Sequence, residues 1–153
     1  MPVQTLEPIL AKLPIFAGLD KPYLELITGC AANVVFKDKD MVFREGEQAN
    51  QFFVIREGRI ALEVHAPGHG PVTVQTVEAG DVVGWSWLFP PHRWHFTGQA
   101  IGNTRAISLD GECLRGKCEA DPRLGYEFLK RFSYVMLQRL EATRLQLLDV
   151  YSK

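Results

Sequence analysis

Cysteine is scarce in this chain: 153 residues carry three, Cys30, Cys113 and Cys118. An odd count without dense spacing excludes a disulfide framework and leaves too few ligands for a metal cluster, so the three are expected as free thiols in a reducing compartment. An excess of one charge is lacking too. Seventeen Lys plus Arg stand against eighteen Asp plus Glu, a formal net charge of -1. Broad attraction to nucleic acid or to an anionic membrane is thereby removed, and an anion has to be caught by a local site. No apolar run approaches the roughly 20 residues that cross a bilayer, and no basic start followed by an apolar core opens the chain. A cytoplasmic protein without membrane contact is expected.

Catalytic constellations are equally thin. No Ser-His-Asp order and no paired-carboxylate setting stands out, so the chain is not expected to be an enzyme. Of the four histidines, His65 and His69 flank glycine in a turn, and His92 and His95 lie three apart. A metal centre needs three or four convergent ligands. With no His-x-His and downstream Glu, a metal-dependent cupin, another small barrel, is only the remote alternative. No metal or other cofactor is expected.

What is present is a 46% hydrophobic chain of single-domain size, long enough to bury a full core over 1–153. Residues 1–33 read as N-terminal helices. Leu6, Ile9, Leu10, Leu13, Ile15 and Phe16 form an apolar cluster broken at Pro14, and Asp20, Lys21 and Pro22 start a second helix that carries Leu24, Leu26 and Ile27 and stops near Gly29. Over 34–110 the pattern shifts to short apolar stretches: 34–36, 41–43, 51–55, 60–64, 72–77 and 104–109. Gly, Pro, Asn and Asp punctuate them, with hairpins expected around Glu57-Gly58 and across 66–71. Within this β-region Gly84-Trp85-Ser86-Trp87-Leu88-Phe89, stopped by Pro90-Pro91, reads as one or two turns of helix over 84–89. Residues 111–153 are helical again: a short helix holding Leu114, then the longest helix, begun by Asp121-Pro122 and reaching about Val150. Leu129, Phe132, Met136, Leu140, Thr143, Leu147 and Val150 make one seam on it, and Phe128, Val135 and Leu145 a second stripe. Two apolar faces serve a helix that packs on its own barrel and on a second copy, which predicts a homodimer.

The fold class is thus mainly β with flanking helices, and the ordered motifs sharpen it. Pro14-Ile15-Phe16, Phe43-Arg44-Glu45-Gly46-Glu47, Phe53-Val54-Ile55-Arg56-Glu57-Gly58-Arg59-Ile60, Gly80-Asp81-Val82-Val83-Gly84 and a long terminal helix resemble, in that order, the cyclic-nucleotide-binding domain family. The resemblance covers nearly the whole chain. It implies a jelly-roll barrel with a short cassette helix and a long C-terminal helix, a sensor that binds a cyclic nucleotide or related small anion and signals to a downstream protein. On this chain the family's phosphate site falls at Gly84, whose following amides face an anion, at Ser86 as an added hydroxyl donor, and at Arg93, whose guanidinium can meet two phosphate oxygens. The segment 139–143 resembles the receptor-protein branch of the family, which implies that Thr143 reaches a base. That branch continues into a DNA-binding domain; this sequence stops at Lys153, so direct DNA binding is not expected.

Two departures from the family pattern stand out. Trp85 occupies the place of the glutamate that accepts a ribose hydroxyl, and indole donates but does not accept. A lost charged hydrogen bond is worth about 1.5–3 kcal/mol, or roughly ten- to 150-fold in affinity. Trp94, with His95 and Phe96, replaces small residues beyond the arginine. Trp85 and Trp94 are therefore expected either to stack on a flat ligand or to fill the pocket. In the second case the chain is a degenerate member acting through protein interaction and dimerisation.

Overall fold

The computed structural model describes residues 2–151, with side chains over 6–151; the last two residues of the expected helical region 111–153 lie outside the described residues. Chain order is α1 (Pro2–Lys12), α2 (Lys21–Thr28), β1 (Ala31–Phe36), β2 (Met41–Phe43), β3 (Gln51–Ala66), β4 (Gly70–Glu78), β5 (Val82–Val83), β6 (Thr97–Asp110), α3 (Gly111–Ala120) and α4 (Pro122–Tyr151). The mainly antiparallel β architecture with flanking helices is the expected one. The strands run β1-β6-β3-β4, with β2 also on β6 and β5 also on β3.

Local chemistry sets the helix starts. Lys21-Pro22 opens α2, because proline has no N–H to lose in a first turn. The Asp110 carboxylate accepts from the Cys113 N–H at 3.1 Å and starts α3. The Asp121 carboxylate accepts from the N–H groups of Arg123 and Leu124 at the head of α4.

Three expectations are corrected. The hairpin placed at Glu57-Gly58 does not form, and β3 continues through it. Gly58, at φ +91°, absorbs the irregularity beside Thr104 while the pairing with β6 shifts register between Ile55 and Arg59. A bulge bends a strand without ending it, so glycine here marks a close backbone approach. The second hairpin is present, with His69 N–H donating to the Ala66 carbonyl.

The cassette at 84–89 is the second correction: it is a succession of turns, held by Leu88 N–H to Trp85 O and Phe89 N–H to Ser86 O, and not a helix. Trp87 is drawn into the core and the Pro90-Pro91 pair stops the segment before an α-helical ladder is established. The third concerns the thiols. Cys30 and Cys113 form a disulfide with Cα atoms 5.9 Å apart, and only Cys118 is free. Pairing of Ala31 with Leu109 brings the end of α2 beside the start of α3, which places two cysteines 83 residues apart in contact. With two of its three cysteines joined, the chain no longer points to a reducing compartment. No helix among the described residues is long and apolar enough to cross a membrane.

The core has two parts. One lies between the sheet and the helices and gathers Leu10, Phe16, Phe52, Trp87, Leu114, Phe128 and Phe132. The other fills the barrel with Phe43, Phe53, Ile55, Ile60, Val77, Val83 and Trp94. The expected seam on α4 splits accordingly: Phe132 is fully buried and Met136 partly, whereas Leu129, Leu140, Leu147 and Val150 stay exposed.

Candidate functional site

The cassette follows β5. Gly84 has φ +94°, and a Cβ built on it meets Trp94 Cζ3 at 2.5 Å. Only glycine lets the backbone lie against that indole. Trp94 in turn stacks on Phe43, ring centroids 3.8 Å apart. Phe43, Leu62, Val83, Gly84, Trp85, Ser86, Trp94 and Phe96 line what remains, a cavity of about 10 Å³. That is room for about one water, whereas ligand pockets run to about 300–1,000 Å³.

Gly84, Trp85, Ser86 and Trp94 thus lie together around this cavity. Arg93 is not with them. The chain is extended here: Arg93 pairs with Gln48, and Trp94 N–H donates to Glu47 O. Successive side chains of an extended segment point opposite ways. Trp94 goes inward, 5% exposed, and Arg93 goes outward, its Nη1 donating to the Gly46 carbonyl at 3.0 Å. Ser86 is buried and its hydroxyl lies 3.1 Å from His95 Nδ1, so the donor expected to face a ligand has a partner within the chain. Thr143 is exposed, and its hydroxyl donates to the Arg139 carbonyl one turn earlier.

Two residues tie the cassette to α4. Trp87, 1% exposed, stacks on Phe52 and meets Phe128 and Phe132 edge-on; its carbonyl accepts from Arg115 of α3. Arg139 on α4 donates through Nη2 to the Val82 carbonyl and lies 5.0 Å over the Trp85 ring. A guanidinium on an indole face gains from the ring quadrupole. The sequence carried a signal for Arg139, its place at the head of 139–143, and one for Trp85, but none that the two meet, 54 positions apart and on different elements.

The family model described as "Cyclic nucleotide-binding domain" matches residues 33–121, more than half of the chain. A "CRP-like cAMP-activated global transcriptional regulator" of Mycobacterium tuberculosis is 26% identical over 145 residues, 95% of this chain and 63% of that protein. The chain therefore spans less than two thirds of that regulator's length. Among solved structures, a cyclic nucleotide-binding domain of Methylobacillus flagellatus superposes with a TM-score of 0.80 at 17% identity, covering 96% of this chain and 83% of the other. The sensor domain of the transcriptional regulator DNR of Pseudomonas aeruginosa superposes with a TM-score of 0.72 at 16% identity, covering 91% and 93%. At such identities the two structures speak for the fold alone.

Proposed function

This chain belongs to the cyclic nucleotide-binding domain family, and from that premise we propose that it is a non-catalytic regulatory module that pairs with a second copy through α4 and whose cassette cavity is closed by Trp94. The observation that carries the reading is the packing of Trp94 between Gly84 and Phe43, which leaves about 10 Å³ where a ligand would lie. Pairing is supported by the far half of α4: Leu137, Leu140, Leu147, Leu148 and Tyr151 are 48–79% exposed, an apolar stripe that a facing helix would bury. Its role is to present the paired helices to a downstream protein.

Calorimetric titration with cyclic AMP and cyclic GMP tests the closed cavity. Millimolar nucleotide gives neither heat nor thermal shift; saturable binding by the unaltered chain would overturn it.

A second reading keeps the sensor active. Here a cyclic nucleotide or related small anion enters by displacing Trp94 and is recognised at Gly84, Trp85, Ser86 and, after the segment turns over, Arg93. Arg139 favours it, because a hydrogen bond to Val82 and contact with Trp85 make any cassette movement felt on α4. The same titration decides between the two, with binding lost in Arg93→Ala as the mark of the second.

A further inference from the structure

Between α4, the Pro14–Ile15 turn and the connection from β4 to β5 runs an open groove of about 780 Å³, of ligand size by the same measure that the cassette cavity fails. Pro14, Ile15, Val82 and Val135 supply an apolar wall. Its charges are lopsided: Lys130, Arg131 and Arg139 against the single carboxylate of Asp81. Two of the cations are engaged. Glu127 pairs with Lys130 at 3.0 Å and with Arg131 at 3.6 Å, and Arg131 Nη1 also donates to the carbonyls of Ile15 and Ala17.

Arg139 is in a different position. Its Nη2 donates to Val82, but its Nη1 is buried without an acceptor, and among the described residues it has no ion-pair partner. Asp81 lends Arg139 a favourable charge without an ion-pair contact, and its carboxylate accepts from the Glu78 N–H. Burial pushes the Arg139 pKa down from its ordinary value, as expected of a cation withdrawn from water with no counter-ion in contact. A half-buried cation without a counter-ion and a buried donor without an acceptor both carry a cost, and one incoming anion removes both.

We propose that this groove binds a small organic anion, a carboxylate or phosphate ester on an apolar body, with its acidic head on Arg139 and its body on Pro14, Ile15 and Val135. Binding draws the guanidinium away from Trp85 and Val82, so occupancy of the groove loosens the cassette. The site is distinct from the pairing stripe: at about 100° per residue, Ala142 in the groove and Leu140 on the stripe lie about 200° apart around α4. It stands whether or not the cassette cavity is closed.

The experiment titrates octanoate, octyl phosphate, octanol and inorganic phosphate into the intact chain, following tryptophan fluorescence and thermal shift, with the oligomeric state checked by light scattering. At least one of the two amphipathic anions gives saturable binding and a fluorescence change, and which of them binds more tightly identifies the head group. Octanol and inorganic phosphate give neither. Arg139→Gln weakens binding at least about tenfold, the loss of one charged hydrogen bond. Ala142→Trp, which fills the groove and leaves Arg139 in place, abolishes binding and carries the test if Arg139→Gln fails to fold. Equal binding by Ala142→Trp, equal binding of octanol, or no saturable response to either anion would overturn the proposal. A dimer unchanged by any of these ligands leaves the proposed pairing of α4 untouched, so the two can fail separately.

Discussion

Removal of the Trp94 side chain is the perturbation that bears most directly on the proposed function. Trp94 is 5% exposed, stacks on Phe43 at 3.8 Å and belongs to the barrel core. Truncating such a residue to alanine costs about 3–5 kcal/mol, the lost transfer energy plus the cavity left behind. For a chain of this size 1 kcal/mol corresponds to about 2–4 °C, so Tm should fall by roughly 6–20 °C. Urea unfolding checks this: the midpoint drops while the slope m stays the same, since the surface exposed on unfolding hardly changes. A second substitution tests the contact itself. Gly84→Ala places a Cβ at φ +94° and 2.5 Å from Trp94 Cζ3. The backbone part of that cost is about 1–2 kcal/mol, and the clash adds about 1–3 kcal/mol. In the Trp94→Ala background the clash is gone, so the two costs add to less than their sum by about 1–3 kcal/mol. Additive costs, or a Trp94→Ala loss below about 1 kcal/mol, would refute the plugged cavity.

Three further outcomes are expected. Reducing the Cys30–Cys113 bridge, or replacing Cys113 by alanine, lowers the urea midpoint; closure of a loop across 83 positions is worth up to about 4.5 kcal/mol in the chain-entropy picture, and an unchanged midpoint with and without a dithiol would show that the two sulfurs are not joined. Leu140→Asp, on an exposed part of α4, halves the mass seen by light scattering while the circular dichroism of the fold persists; a folded species of unchanged mass removes the pairing. Burial first, then the nearby charges of Asp121 and Glu119, push the Cys118 thiol pKa up. A thiol raised in the folded state contributes stability that is complete below its unfolded pKa and lost as pH rises through the folded value. Cys118 is accordingly alkylated by iodoacetamide more slowly in the native chain than in urea at mildly alkaline pH, and equal rates would contradict the shielding.

The framework was readable from residue order because its signals are local. Asp121-Pro122 caps and begins α4 wherever the helix packs, and the alternation of polar and apolar residues marks strands without reference to their neighbours. The cassette composition around Gly84 was legible for the same reason, as was the choice between an aromatic platform and an aromatic plug. Even the misread hairpin at Gly58 follows this logic: a glycine announces an unusual backbone, but whether the chain turns or bulges depends on the strand laid against it.

Residue order by itself therefore determined the main helices and strands, their sequence along the chain and the family to which their motifs point. Tertiary structure alone decided that Trp94 rather than Arg93 faces the barrel, that Cys30 meets Cys113, and that Arg139 holds Trp85 and Val82 with a donor left over. The reason is physical. Capping and periodicity act over a few residues, whereas which face of a segment is buried, and which distant side chain meets it, is settled only when antiparallel pairing closes the barrel and brings positions tens of residues apart within contact.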